Sequence, residues 1–365
     1  MIRPIPDWKL DKMVVLAMPW AKYAPRSREG IILDYALFLK KNDVPVSVMV
    51  NERTTPGIIA ELAKSEIPTL QIGAGDIWIR DWAPLLCERD GKTVAVKFQY
   101  PRTYPYAPVK DHKAGITLAG KLGLELVESK LIWEMGNFTT NGKTIIVTDQ
   151  IMAANHLHGE EELKKKLVKE LDFDPGIEVH MLGTYMQSTH LWRFYGYKWS
   201  DAISHVDGHM RFVDESTIIY SLPNIDDYYD KVCEAGKRAT QERKKALNVH
   251  TNYWTETYKA VKQMAKDLDG KFKMIPIEQN LSVSDVDDLG NNAETISDFG
   301  DYINFLRFGE KLFLPQYAPE MPDEDDRAAL EVYENTGIDV TPVKEDFVLG
   351  LARAGGVLNC ASWAM

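Results

Sequence analysis

A single cysteine near the end of the sequence lies in a stretch whose residue types could support chemistry, GGVLNCASWAM. Cys360 follows Asn359, and the preceding glycines would let backbone and substrate come close. A thiol in such a stretch is either a small buried side chain or a nucleophile. Which of the two applies depends on the groups that the fold brings to it.

Groups suited to acid–base chemistry recur shortly ahead of polar turns. WIRDW carries Asp81, WEMGN carries Glu134, and HVDGH carries both His205 and Asp207. Carboxylates can hold a cation, a histidine can move a proton, and a thiolate can attack a carbon atom. These groups must converge if they act together.

A recurring strand–turn–strand unit could bring them together. Four hairpins, each with a polar turn between apolar strands, align by eye: WAPLLCERDGKTVAVKF, NFTTNGKTIIVTD, HMRFVDESTIIYSL and INFLRFGEKLFLPQY. Helical patterns at 158–173 and 323–337 follow such units, and the opening segment fits as VVLAMP, REGIILDYALFLKK and PVSVMV. With a C-terminal strand, this predicts about five ββα units in a closed ring, interrupted by a helical insertion at 226–269. The starts of corresponding strands would then face the central axis.

Composition bounds the function. The chain has 365 residues and a net charge of −11, without the basic block of a nucleic-acid-binding arm. Its three scattered cysteines favour neither a disulfide framework nor a zinc cluster. The start lacks the apolar region of a signal peptide, and no apolar run is long enough to span a membrane. We therefore expect a cytoplasmic protein with no nucleic-acid or membrane partner, and the acidic balance weakly favours a cationic substrate.

The ordered set of motifs resembles the family of agmatine deiminases and bacterial-type (Porphyromonas-type) peptidylarginine deiminases, within the guanidino-group-modifying superfamily. The residues that carry the resemblance are Arg80-Asp81 after a tryptophan, the E-x-G-N element from Glu134 to Asn137, the H-x-D element from His205 to Asp207, and G-G-x-x-x-C from Gly355 to Cys360. The likeness covers nearly the whole chain. It implies an α/β fold, the five-bladed pseudo-symmetric α/β propeller (pentein fold), formed by residues 1–365 as one deiminase domain.

The resemblance also implies a reaction: hydrolysis of a guanidinium group to a ureido group and ammonia, with no cofactor and no metal. Cys360 would attack and form an amidino-thioether, while His205 would serve as general acid and then base. The resemblance assigns the remaining site residues as well: Glu134 to assisting His205, Asp81 and Asp207 to gripping the guanidinium, and Trp82 and Asn137 to the substrate site. The expected substrate is agmatine, giving N-carbamoylputrescine, with peptidyl-arginine or another small guanidine as the alternative. Homo-oligomer formation is left open.

Other interpretations compete with these assignments. His205, Asp207 and His209 alternate as one face of a strand would, which is also a metal-ligand pattern and would suit a metal-dependent hydrolase. A non-catalytic member of the fold could simply bind a cationic ligand. Asp81 could form an ion pair with Arg80, and Trp78, Trp82 and Trp133 could be core residues instead of a wall around the cation.

Two stretches depart from the family pattern beside the reaction centre. The glutamate element is E-M-G-N where the family commonly has E-G-G-N, and Leu358-Asn359 precedes the cysteine where agmatine deiminases usually carry I-H. Both changes leave the thiol in place. They bear on which guanidine the pocket accepts.

Overall fold

The computed structural model describes residues 1–20, 27–101, 108–183, 205–237, 241–281 and 300–365. The strands within these ranges are β1 (Ile2–Pro4), β2 (Val14–Ala17), β3 (Val46–Val50), β4 (Thr69–Gln71), β5 (Leu85–Arg89), β6 (Lys92–Gln99), β7 (Glu125–Ile132), β8 (Thr139–Thr140), β9 (Thr144–Thr148), β10 (Glu178–Leu182), β11 (Met210–Phe212), β12 (Thr217–Pro223), β13 (Lys273–Gln279), β14 (Leu306–Phe308), β15 (Lys311–Pro315), β16 (Asp339–Val343) and β17 (Trp363–Ala364).

The α-helices of the same ranges are α1 (Ser27–Lys41), α2 (Pro56–Lys64), α3 (Ile79–Trp82), α4 (Pro108–Lys121), α5 (Gln150–Asn155), α6 (Glu160–Leu171), α7 (Ile225–Gly236), α8 (Gln241–Leu268), α9 (Asp323–Glu334) and α10 (Asp346–Arg353). Short 3₁₀ turns occur at Asp7–Lys9, Met135–Asn137 and Val206–Gly208. None of the helices in the described ranges is long and apolar enough to cross a membrane.

The described strands form five sheets. Three strands at the centre of each sheet have the same pattern, an antiparallel pair followed by a strand that is parallel to the second. The five centres are β5–β6–β7, β8–β9–β10, β11–β12–β13, β14–β15–β16 and β17–β2–β3. Because parallel neighbours need a long crossover, helices lie between the two parallel strands of every centre. β1 extends the first of these sheets, and β4 extends the last.

The fifth sheet joins residues that are far apart in sequence. β17 pairs antiparallel with β2, so that Trp363 lies opposite Val15. β3 and β9 are buried along their whole length, as expected for strands that are covered on both faces. These buried apolar strands form part of the hydrophobic core. The polar side chains considered below lie in the connections between successive sheets.

The predicted repeat is confirmed. All four predicted hairpins are antiparallel pairs, and the helical insertion is formed by α7 and α8. At the first hairpin, Asp90 and Gly91 both have positive φ, 52° and 74°, which a two-residue turn between twisted strands requires. Helices α1, α6 and α9 coincide with the helical patterns of the sequence.

Candidate active site

The connections from one sheet to the next carry the polar residues that meet at a common site. Each connection leaves the last strand of one sheet and enters the first strand of the next three-stranded centre. The side chains that they bring together are Asp81 on α3, Glu134 before the 3₁₀ turn Met135–Asn137, His205 and Asp207 around the turn Val206–Gly208, Asn304 before β14, and Cys360 before β17.

Cys360 lies in a turn ahead of β17, not within a last strand, and is 8% exposed. Asn304 holds this turn in two ways. Its side-chain nitrogen Nδ2 lies 3.1 Å from Sγ of Cys360, and its Oδ1 accepts hydrogen bonds from the backbone nitrogens of Asn359 (3.0 Å) and Cys360 (3.1 Å). The thiol is therefore fixed by side-chain and main-chain bonds to the neighbouring connection.

The environment of Cys360 favours the neutral thiol in the free site. Burial raises the pKa of Cys360 to about 12, Asp207 adds to the rise because its carboxylate is 3.9 Å from Sγ, and His205 opposes it in part. Asn359 holds that carboxylate in place by donating a hydrogen bond to Oδ2 of Asp207 over 2.6 Å. A cation placed among these groups would lower the pKa of the thiol.

His205 lies between two carboxylates. Its Nε2 is 3.2 Å from Oε2 of Glu134, and its Nδ1 is 3.6 Å from Oδ1 of Asp81. Burial alone would lower the pKa of His205, but Asp81, Cys360 and Glu134 outweigh it and raise the pKa well above the ordinary histidine value. A histidine held in this way carries a proton that it can donate to a departing group.

The site contains three buried carboxyl groups. Asp81, Glu134 and Asp207 are 7%, 3% and 1% exposed, and each has one oxygen without a hydrogen-bond partner among the described residues. Burial raises the pKa of Asp81 to about 8, with Glu134, Asp207 and Asp76 adding to the rise and His205 opposing it. Buried acceptors of this kind are costly unless a cationic donor binds them, so the arrangement is suited to a planar cation.

Two glycines allow the close approach. A Cβ at Gly136 would lie 2.6 Å from both Oδ1 of Asp81 and Nδ1 of His205. At Gly356 a Cβ would lie 2.6 Å from the ring of Trp78 and 3.1 Å from Cβ of Cys360. Space therefore requires glycine in the E-M-G-N element and at one position of GGVLNC, in agreement with the expectation that glycines beside the thiol allow a close approach.

The tryptophans differ in their surroundings. Trp82 is fully buried and its indole nitrogen donates to Asp76 over 3.1 Å, so its described contacts are those of a core residue, and a contact with substrate stays a prediction. Trp133 is also buried. Trp78 is only half-buried, and its ring lies against Gly356, four residues before Cys360.

Asn137 anchors the turn that carries Glu134. Its Oδ1 accepts a hydrogen bond from the backbone nitrogen of Thr148 over 2.6 Å, and its backbone oxygen accepts one from the indole of Trp133 over 2.8 Å. These contacts tie the turn to β9. A direct contact of Asn137 with substrate stays a prediction.

The expectation that His205, Asp207 and His209 share one face of a strand is wrong. Residues 206–208 form a 3₁₀ turn, and the three side chains have different surroundings: His205 meets Glu134, Asp207 meets Asn359, and the ring of His209 packs edge-on against Trp254. Within the described ranges, no three His, Cys, Asp or Glu side chains are arranged to hold a metal ion.

The alternative of an Asp81–Arg80 ion pair also finds no support in the described contacts. Nη1 of Arg80 is 3.6 Å from Oδ1 of Asp7, whereas the cationic neighbour of Asp81 is His205. Asp81 therefore pairs with His205, and Arg80 pairs with Asp7.

Sequence reasoning missed Asn304, Asp76 and the role of Asn359. The rule that located the other groups, polar residues shortly ahead of a hairpin, points to Asp301–Asn304 when it is applied to the fourth hairpin. Oδ1 of Asp301 accepts hydrogen bonds from the backbone nitrogens of Ile303 (3.0 Å) and Asn304 (3.1 Å), which shapes this connection. Asp76 gave no signal, because it precedes Asp81 in a segment without any pattern.

Comparison with known proteins places this geometry in context. The model of the Porphyromonas-type peptidyl-arginine deiminase family matches residues 3–365. Curated protein sequences contain no match to the chain. Among solved structures, agmatine deiminase of C. jejuni has a TM-score of 0.67 at 15% identity, covering 100% of this chain and 96% of that chain. Agmatine deiminase of Enterococcus faecalis has a TM-score of 0.68 at 15% identity, covering 100% and 95%. These likenesses confirm the five-bladed α/β propeller.

Proposed function

Because the chain belongs to the Porphyromonas-type peptidyl-arginine deiminase family, we propose that it hydrolyses a guanidinium group to a ureido group and ammonia through a covalent adduct on Cys360. The observation that carries the proposal is the buried cluster of Asp81, Glu134 and Asp207 around His205 and the thiol. This cluster supplies anions for a planar cation, a proton donor and a nucleophile within one site.

Binding prepares the nucleophile. The substrate cation is held by Asp81 and Asp207, whose carboxylates can each accept parallel N–H bonds from a guanidinium. Its positive charge lowers the pKa of Cys360, so that the thiol loses its proton to solvent and the thiolate, with the amide of Asn304 beside it, faces the central carbon.

The reaction then proceeds through two additions. Sγ of Cys360 bonds to the central carbon, His205 gives its proton to one nitrogen, and the carbon–nitrogen bond breaks to release ammonia. The amidino-thioether that remains is attacked by water, which gives a proton to His205 as its oxygen bonds to the carbon. The carbon–sulfur bond breaks and the thiolate is restored. The remaining proton of the new hydroxyl group passes to solvent, and the ureido product leaves.

We propose agmatine as the principal substrate, with peptidyl-arginine or another small guanidine as the alternative. Support for agmatine comes from the shared fold of the agmatine deiminases of C. jejuni and E. faecalis. Support for peptidyl-arginine comes from the family to which the chain belongs. Asn359 beside the thiol bonds to Asp207, so this position shapes the guanidinium pocket directly.

The test is a screen of agmatine, free arginine, arginine-containing peptides and other guanidines for ureido product and ammonia. Cys360→Ala should abolish both products. Cys87→Ala is the matched control, because Cys87 is a fully buried cysteine in β5 away from the site, and it should retain turnover. Turnover that survives in Cys360→Ala would reject the mechanism, and tight guanidine binding without ammonia release would favour a non-catalytic cation-binding protein.

A further inference from the structure

Arg80 supports the connection that carries the nucleophile. Its backbone nitrogen donates to the carbonyl oxygen of Cys360 over 3.1 Å, and its Nε lies 3.5 Å from the carbonyl oxygen of Asn359. The side chain is 11% exposed. Arg80 therefore bonds to the main chain at both Asn359 and Cys360.

Arg211 supports the opposite wall of the thiol pocket. Its Nη1 donates to the carbonyl oxygens of Ile303 (3.4 Å) and Phe305 (2.5 Å), the residues on either side of Asn304. Its guanidinium also stacks over the ring of Phe305, 3.9 Å from the ring centroid. The side chain is 1% exposed, so these contacts fix the stretch from which Asn304 reaches Sγ of Cys360.

One carboxylate joins the two supports. Oδ1 of Asp7 is 3.6 Å from Nη1 of Arg80, and Oδ2 of Asp7 is 2.5 Å from Nη2 of Arg211. Burial would raise the pKa of Asp7, but Arg80 and Arg211 outweigh it and lower the pKa, which keeps the carboxylate ionised at neutral pH. Asp7 lies in the 3₁₀ turn Asp7–Lys9, far from the site residues in sequence.

We propose that Asp7 is a positioning residue for the nucleophile: through Arg80 and Arg211 it holds the Cys360 turn and the Asn304 stretch in register with each other. The proposal rests on the deiminase function proposed above, and Asp7 itself touches neither the thiol nor the carboxylates of the site in the described contacts. A shift of about 1 Å in a reacting group can cost roughly a hundredfold in rate, so a remote carboxylate of this kind bears on turnover.

The test compares Asp7→Asn with Asp174→Asn. Asp174 is a matched control, because it too pairs with an arginine, Arg3, at 2.7 Å, and its side chain is 22% exposed against 26% for Asp7. On folded protein, Asp7→Asn should lower kcat roughly tenfold or more while KM changes less, and Asp174→Asn should leave both near wild type. Asp7→Glu, which keeps the charge, should recover part of the loss.

A second readout needs no turnover. Iodoacetamide alkylates Cys360 at a rate set by its thiolate, and loss of the Asn304 contact should slow alkylation about threefold or more at every pH tested in Asp7→Asn, but not in Asp174→Asn. The proposal would be overturned if Asp7→Asn kept the wild-type kcat and its Cys360 were alkylated as fast as in wild type or faster. It would also be overturned if Asp174→Asn changed kcat and the alkylation rate as much as Asp7→Asn does. A wild-type protein that releases no ammonia would reject the deiminase function, and the alkylation rates would then decide the role of Asp7 alone.

Should Asp7→Asn fail to fold, Arg211→Lys provides the same test. Lysine keeps the charge that faces Asp7 but cannot donate to Asp7, Ile303 and Phe305 with the geometry of a planar guanidinium. Slower alkylation of Cys360 in folded Arg211→Lys supports the proposal, and an unchanged rate overturns it.

Discussion

The side-chain nitrogen of Asn304 lies 3.1 Å from Sγ of Cys360, the one amide among the described contacts that reaches the thiol. A donor at this distance stabilises a thiolate more than a thiol, and the same side chain also fixes the backbone of Cys360. Asn304 therefore bears on both the charge and the position of the proposed nucleophile, Cys360.

Asn304→Ala should lower kcat/KM at least roughly tenfold, since about 1.4 kcal/mol corresponds to that factor. Asn304→Asp should be more harmful, because a further carboxylate raises the thiol pKa. The control is Asn141→Ala, which removes an amide that also bonds at both ends, but in a hairpin turn. Steady-state kinetics on the three folded variants measure the difference, and equal losses at positions 304 and 141 would contradict a role at the thiol.

Asp81→Asn and Asp207→Asn should each cut kcat/KM at least roughly tenfold without unfolding the protein, because each removes charge from the guanidinium clamp but keeps the shape. Asp174→Asn is again the control. Melting temperature and kcat/KM are measured on the same preparations. A variant that melts early yet keeps wild-type kcat/KM would remove that aspartate from the site.

Binding of a guanidinium should release a proton from Asp81. The pKa of Asp81 is raised to about 8 in the free site, so the group is mostly protonated at about pH 7, and a bound cation lowers its pKa. Titration calorimetry of Cys360→Ala in buffers of different ionisation enthalpy should show close to one proton released near pH 7 and little near pH 9. Adding Asp81→Asn should abolish the release, whereas a release that survives it must come from another group.

Cationic reagents should label Cys360 in preference to neutral ones. With its pKa raised to about 12, the free thiol reacts slowly with iodoacetamide near neutral pH, while a haloacetamidine brings its own positive charge into the site. Peptide mass spectrometry can follow Cys360 against the exposed Cys233 in the same sample. Iodoacetamide should favour Cys233, and the haloacetamidine should favour Cys360. Preferential labelling of Cys360 by both reagents would contradict the raised pKa.

Lys97→Met should stabilise the fold in a pH-dependent manner. Lys97 is 1% exposed, and burial lowers its pKa to about 7 against the attraction of Asp111 and Glu128. Between this value and the ordinary lysine pKa, the unfolded chain binds a proton that the folded chain does not, so wild-type stability rises with pH across that window.

Lys97→Met lacks this pH-dependent contribution of the buried amine. Its free energy of unfolding should exceed that of wild type by roughly 1 kcal/mol or more near pH 7 and by less near pH 10. Urea unfolding at both pH values measures it, with the exposed Lys121→Met as the control. A destabilised variant near pH 7 would show instead that the bond from Lys97 to the carbonyl of Phe98, 2.7 Å long, outweighs the burial of charge.

The sequence predicted the repeat well where turn chemistry is local. Asp90-Gly91 and Asn141-Gly142 mark hairpins because glycine, and asparagine or aspartate before it, tolerate the positive φ of a tight turn. Since the connections before these hairpins meet at one place, the position of Asp81, Glu134 and Asp207 relative to the turns was enough to predict their convergence.

Two kinds of feature escaped sequence reasoning. Alternation at His205–His209 suggested a strand, but a five-residue pattern cannot distinguish a strand from a 3₁₀ turn with one residue on either side. Asn304 bonds to Sγ and to the backbone nitrogen of Cys360, and Asp7 pairs with the side chains of Arg80 and Arg211. All these partners are remote in sequence, and no local pattern marks such contacts. Their roles become visible only when the distances to Cys360, Arg80 and Arg211 are known.

The pairing of β17 with β2 has a consequence for biosynthesis. Four of the five described sheet centres are built from strands that follow one another along the chain, and these can assemble as the ribosome delivers them. The antiparallel partner of β2 is β17, residues 363–364, which is synthesised long after β2. Cys360 is synthesised just before β17. A nascent chain thus carries the carboxyl groups and the histidine of the proposed site before Cys360, so the same event that closes the ring also completes that site.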